Sequence, residues 1–145
     1  MIRDSSIRGS TGFALAKVCK AHRGNVAGVL AEIGLHVGQE MVLVELWQQD
    51  GLRGGELAAR LRVEPPTVTK MVRRLENCGL LQRNRDPEDA RSFRVHLTDK
   101  GRALRGPVAL CWQRAEEKTL DGLNEDERQA LHGLLTKMCV NLNRD

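Results

Sequence analysis

Aromatic side chains are scarce in these 145 residues: two Phe, two Trp and no Tyr. Proteins that bind single-stranded nucleic acid stack bases on aromatic platforms, so the shortage argues against that mode. The four cysteines, Cys19, Cys78, Cys111 and Cys139, stand singly, with no CxxC pair and no histidine at finger spacing. A disulfide framework or structural zinc site is therefore not expected. His22, His36, His96 and His132 show no spacing that converges on a metal, and no cofactor is expected either. Long apolar runs are missing. Stretches such as Val26–Ala31 fall far short of the ~18–20 residues that cross a bilayer. The opening Met-Ile-Arg-Asp-Ser-Ser lacks the apolar stretch of a signal peptide. A cytoplasmic protein without a membrane partner is expected. Catalytic signatures are lacking too: there is no GxSxG, HExxH, phosphate loop or Gly-rich dinucleotide turn, so a non-enzyme is expected.

What is present suffices for one folded domain over 1–145, with 41% hydrophobic and 29% charged residues. The net charge of +4 is unevenly distributed. Residues 53–105 hold 13 Lys/Arg against 7 Asp/Glu, and the remainder holds 10 against 12. The middle of the chain is thus basic and its ends slightly acidic. A localised basic segment is the electrostatic footprint of a nucleic-acid partner.

Periodicity divides the chain into elements. Leu15, Cys19, His22, Val26, Val29 and Ile33 step by three or four, which predicts one amphipathic helix over 11–33, capped by Gly34. On this reading Cys19 is a buried, inert thiol. Gln39–Gln49, with Met41, Val42, Val44, Leu46 and Trp47, reads as a short, mostly buried helix ended by the turn Asp50-Gly51. A third helix is expected over Gly55–Leu61, and a fourth opens at Pro65-Pro66, where proline suits the first turn. Its inward residues are Val68, Met71, Val72 and Leu75, and Gly79 follows as a left-handed cap. The period then changes to two. Leu80–Arg83 and Phe93–Leu97 make a hairpin around the charged loop Arg85–Arg91. Thr98 caps a long helix to about Leu120, bent near Gly106-Pro107. Asn124 caps a last helix whose apolar stripe is Leu131, Leu134, Leu135, Met138 and Leu142.

The expected fold is therefore mainly α with a small β-hairpin wing: a winged helix-turn-helix over 38–98, flanked by helices over 11–34 and 99–143. In that arrangement the second helix enters the major groove of duplex DNA while the first crosses the backbone. Pro66, Thr69, Lys70, Arg73 and Asn77 occupy the face opposite the apolar stripe, and their donors suit base edges and phosphates. Thr67 and Arg74 lie on the same helix, whose N-terminal amides are expected to face a phosphate. At the wing, Arg91 stands among Asp86, Glu88 and Asp89, which could hold its guanidinium by local ion pairing for entry into a minor groove. Arg83, Arg85 and Arg94 flank it and suit phosphate contact.

These motifs together resemble the MarR transcription regulators. Leu52-Arg-Gly-Gly-Glu-Leu-Ala-Ala-Arg-Leu-Arg-Val63 resembles the first helix of that family's motif, and Thr67–Glu76 with Gly79-Leu-Leu resembles its recognition helix and first strand. The wing Asp86–Arg91 and the exit Leu97-Thr-Asp-Lys-Gly101 complete the likeness, which extends over the whole chain. In the family's wing pattern, Asp-x-Arg-Asp-x-Arg, the first Arg is replaced by Glu88, so the minor-groove role falls to Arg91 alone. The usual Ser near the start of the recognition helix is Pro66.

The resemblance implies a homodimer built from the first and last two helices, reading a pseudo-palindromic operator on double-stranded DNA. It implies a repressor released by a small, often aromatic anion, bound in a crevice between the dimer helices and the DNA-binding lobe. His22, Arg23, His36 and Trp47 are the residues placed to face that crevice. Two alternatives remain open: a redox sensor acting through Cys19, and a sequence-blind architectural DNA-binding protein. The reactive Cys of peroxide-sensing relatives corresponds here to Gly12.

Overall fold

The computed structural model describes residues 4–144. Helix α1 (Asp4–Arg8) leads into α2 (Thr11–Ala31), whose first turn is capped by the Ser10 hydroxyl accepting from the Phe13 N–H. Then come α3 (Gln39–Gln48), the two-residue strand β1 (Leu52–Arg53), α4 (Gly54–Leu61) and α5 (Pro65–Asn77). Strands β2 (Leu81–Arg85) and β3 (Phe93–Leu97) form the hairpin, and α6 (Asp99–Ala103), α7 (Arg105–Thr119) and α8 (Glu125–Leu142) complete the chain. The sheet is antiparallel in the order β1-β3-β2, with Leu52 and Arg83 on either side of Val95. This is the mainly α winged fold that the periodicities predict. Strand β1 was not foreseen, since two residues carry no alternation to read.

One continuous core holds the fold together. Val68, Val72 and Leu75 of α5 close against Leu57 and Ala58 of α4, Val42, Leu43 and Leu46 of α3, and Leu52, Leu81, Val95 and Leu97 of the sheet. Val26 and Leu30 of α2 and Val108, Cys111 and Ala115 of α7 extend it. The turn out of α5 needs Gly79 at φ +75°, a conformation costly for a side-chain-bearing residue. Gly101 has a different reason. A Cβ there would sit against the Leu80 carbonyl oxygen, well inside contact distance, so α6 packs onto the sheet only without one. The Gly101 carbonyl in turn accepts from Trp47 Nε1 at 3.0 Å.

Gln39 and Glu40 are buried although polar, because both side chains turn back onto the preceding loop. Gln39 Oε1 accepts from the His36 N–H and Glu40 Oε2 from the Gly38 N–H, at 3.0 and 2.8 Å. Burial pushes the Glu40 carboxyl above the usual carboxylate range. Asn124 and Glu127 form a reciprocal capping box at the start of α8.

Three local expectations are corrected. The bend expected near Gly106-Pro107 falls at Leu104, whose N–H turns to the Gly101 carbonyl. Proline is tolerated in a first helical turn, so the chain breaks just before and restarts as α7 with Pro107 in that turn. The thiol of Cys19 is exposed, not buried. Here α2 runs past its partner: the Cys111 thiol donates to the Val29 carbonyl and Asn25 Nδ2 to the Ala115 carbonyl, but α7 ends at Thr119. Contact with α7 reaches back along α2 to His22, whose ring meets Trp112, and Cys19 lies about one turn further out. Lastly, α8 buries none of its residues. Leu131 and Met138 are half-buried, while Leu134, Leu135 and Leu142 are exposed.

Candidate nucleic-acid interface

Helix α5 presents its outer face because its inner one is committed. With Val68, Val72 and Leu75 at 1% exposure or less, Pro66, Lys70, Arg73 and Asn77 are turned to solvent. Thr69, half-buried, returns its hydroxyl to the Pro65 carbonyl at 3.1 Å. The N-terminus of α5 is not the phosphate cradle expected of it. Pro65 and Pro66 have no N–H, and the Thr67 and Val68 amides both donate to the Glu64 carbonyl, at 2.9 and 3.2 Å. The double proline that fixes the start of the helix also removes its free donors.

The two flanks of α5 face different neighbours. Pro65, Val68 and Thr69 border a cleft of about 160 Å³ shared with Arg53 and, on the wing, Arg91, Ser92 and Phe93. Thr67, Met71 and Arg74 border a cavity of about 420 Å³ shared with Arg23 and His36. Thr67 and Arg74 are thus set toward the outer helices and away from the wing.

The wing arginines divide in the same way. Arg85 and Arg91 are exposed, whereas Arg83 and Arg94 are engaged within the molecule. Arg83 forks onto Glu76 of α5 at 3.0 and 3.3 Å and holds that carboxyl below its ordinary range. Arg94 donates to the Gly51 carbonyl at 3.0 Å. Local pairing of Arg91 with Asp86, Glu88 and Asp89 does not occur. Among the described residues its side chain makes no ion pair, and only its N–H meets Asp89, at 3.0 Å. Asp86 faces inward, its side chain fully buried, and its partners are Arg53 and Arg94. The Glu88 N–H, then Arg53 and Arg94, hold the Asp86 carboxyl low. Sequence spacing singled out neither Arg53 nor its role. Its partner Asp86 stands 33 residues away in the chain, beyond what local spacing can read.

The four residues expected to face a single crevice are separated. Arg23 and His36 line the cavity beside α5, with Arg60 and Arg74. Trp47 lines a different one, of about 380 Å³, with Met41, Val44, Arg105, Val108, Ala109 and Trp112 between α3 and α7. His22 packs on the Trp112 ring, with centroids 5.8 Å apart. The buried Nε1 of Trp112 has no hydrogen-bond partner among the described residues.

Comparison with known proteins agrees with this geometry. Residues 35–93 match the MarR family model. The HTH-type transcriptional regulator TtmR of Methylorubrum extorquens is 35% identical over 126 residues, which are 87% of this chain and 64% of that protein. The chain thus spans a little under two thirds of that relative's length. An HTH-type transcriptional repressor of Mycobacterium tuberculosis is 28% identical over 127 residues, covering 88% of this chain and 91% of that one. Among solved structures, one titled as the mechanism for regulation of DNA binding of Bordetella bronchiseptica BpsR by 6-hydroxynicotinic acid matches with a TM-score of 0.84 and 28% identity, over 95% of this chain and 96% of that one. Residues 35–93 thus carry the winged helix-turn-helix segment of the MarR family, and the chain as a whole is similar to transcriptional regulators of that family.

Proposed function

We propose that the chain acts as a homodimer that binds duplex DNA sequence-specifically, as a repressor released from a pseudo-palindromic operator by a small aromatic anion. The observation that carries this reading is the outer face of α5, where Lys70 and Arg73 are exposed and make no ion pair among the described residues, beside a wing whose Arg85 and Arg91 are likewise exposed and without an ion pair among them. Lys and Arg so placed neutralise phosphates, and Arg reads guanine edges. Support for a second copy comes from α8, where Leu134, Val140 and Leu142 are 57%, 50% and 80% exposed, and from Val18 of α2 at 56%. A two-fold dimer places its recognition helices on half-sites about one helical turn apart.

The cavity between α3 and α7 is the better ligand site of the two that the candidates line. Its walls are apolar and aromatic, Arg105 offers a cation at its edge, and Trp112 Nε1 lacks an acceptor. An aromatic acid supplies a ring for the apolar walls and a carboxylate for Arg105, and 6-hydroxynicotinic acid, named for BpsR, is of that chemistry. A ligand wedged there would shift α3 against α7 and change the separation of the two recognition helices.

Selection of duplexes from a random pool tests the DNA reading. The expected product is a pseudo-palindrome, whereas sequence-blind, length-dependent binding would make the chain an architectural protein. The effector reading has its own probe, because both tryptophans line the same cavity. Titration with 6-hydroxynicotinic or salicylic acid should quench their fluorescence and lower affinity for the selected duplex. Redox control through Cys19 is the second reading, favoured by the exposure of that thiol. Peroxide-driven release abolished by Cys19→Ser would put it in place of ligand control.

A further inference from the structure

Asp86, the first residue beyond β2, ties the wing down with both of its carboxylate oxygens. Oδ1 accepts from the Glu88 N–H at 3.0 Å, and Oδ2 accepts from Arg53 Nε at 2.5 Å. Arg53 Nη2 also reaches Glu88 Oε2 at 3.3 Å. One guanidinium therefore spans the first turn of the wing, although it belongs to β1, 33 residues earlier in the chain. Its own backbone is fixed at two places: it pairs with Arg94 in the β1–β3 ladder, and its N–H donates to Glu56 in the capping box of α4. Arg53 and Arg94 stand opposite each other, a like-charge pair that would be unfavourable alone. Asp86 lies against both and removes the conflict.

The same guanidinium borders the cleft between α5 and the wing. Arg53, Thr69 and Arg91 line that cleft together, so the position of Arg53 sets the gap between the recognition helix and the wing residue that faces DNA. Position 88 explains why an outside residue is needed. Within the wing, Arg91 meets no carboxylate, and Glu88 adds a second negative charge beside Asp86.

We propose that Arg53 is a positioning residue for DNA reading: through Asp86 and Glu88 it holds the wing where Arg91 reaches the duplex alongside α5, without itself touching the DNA. This rests on the reading of the chain as a duplex-binding regulator. A contact residue and a positioning residue differ in how their losses combine. If Arg53 acts only through Arg91, removing both costs no more than removing one.

The test measures binding of the purified full chain to the duplex that the wild type selects. Arg53→Ala and Arg91→Ala should each weaken binding about tenfold, and the double variant should be no weaker than either. Adding Glu88→Arg to Arg53→Ala supplies Asp86 with a guanidinium from within the wing and should restore most of the loss. Arg53→Lys, which keeps one donor, should fall between. Amide exchange of the Glu88 N–H in the DNA-free protein should accelerate in Arg53→Ala and slow again in the Glu88→Arg rescue. Losses that multiply in the double variant would make Arg53 a direct DNA contact and overturn the proposal. An unaltered Glu88 amide, or no rescue, would overturn it as well. A wild-type chain that selects no duplex overturns instead the underlying reading of the chain as a duplex binder.

Discussion

Between Leu35 and Leu97 the apolar residues of this chain find partners inside it, whereas the eighteen-residue α8 finds almost none. Both regions carry helices with apolar residues at helical spacing, but the stripe of α5 is much more sharply segregated than that of α8. The difference lies also in company. Helix α5 is enclosed by α3, α4 and the sheet, while α8 and the first half of α2 present Leu134, Leu142 and Val18 outward. The apolar side of the winged segment is thus closed within one copy, with help from the inner ends of α2 and α7, whereas α8 and the start of α2 leave apolar surface exposed. Charge follows the same division: the basic excess lies in the middle of the chain, and the ends are slightly acidic.

The contrast is sharpened by substitutions that should respond differently to protein concentration. Leu75→Ala empties a fully buried site in the winged core and should lower unfolding free energy by about 2–5 kcal/mol, at any protein concentration, in urea titrations. Leu134→Asp with Leu135→Asp should leave the fold of each copy intact but weaken association by about 2 kcal/mol or more, read by sedimentation-equilibrium or light-scattering mass. A thermal midpoint that depends on concentration in the wild type and not in this variant would sharpen the division; two unchanged masses would break it.

Within the winged segment, Arg91→Ala and Arg73→Ala should each cost about 1–3 kcal/mol of binding to the selected duplex. Loss at Arg73 should exceed that on random duplex. Equal losses on both would reduce Arg73 to a phosphate contact. The smallest effect expected is that of pH on the wing. The folded-state pKa of Asp86 is depressed, so its contribution is fully present above the unfolded value of about 3.9 and is lost as pH falls through the folded one. Glu40 has the opposite sign: its raised carboxyl contributes stability at low pH that is lost as pH rises through its folded value. Protection of the Glu88 amide, taken relative to its intrinsic exchange rate at each pH, should therefore fall only on acidification below about pH 4, and in Asp86→Ala, which has no side-chain acceptor, it should be low throughout.

Much of the fold was legible in the residues because the rules that make elements are local. The i, i+3, i+4, i+7 stripe of Val68, Met71, Val72 and Leu75, the caps Thr98 and Asn124, and the alternation of Phe93, Val95 and Leu97 each need only a few neighbouring residues. Where the reading failed, the missing knowledge was of a partner. The stripe through Cys19 is real, but periodicity cannot say that α7 stops before reaching it. Likewise, three acids around Arg91 predict an ion pair by proximity in sequence, yet the backbone turns Asp86 inward toward β1. Trp47 and Trp112 stand out in the sequence as the few rings available for a ligand or a core, but that they line one cavity, with the Trp112 Nε1 unpartnered among the described residues, appears only once α3 and α7 are packed.

The scarcity of rings, the basic middle of the chain, the positions of its helices and strands, and the double proline that opens α5 all belong to the sequence by itself. They follow from composition and from dihedral and hydrogen-bonding preferences that act within about one helical turn. Tertiary structure alone decided which guanidinium holds the wing, which face of α5 remains free, and how four candidate ligand residues fall apart onto separate surfaces. Those outcomes join groups tens of residues apart, as with Arg53 and Asp86, and burial and charge pairing select such contacts only after the core has closed.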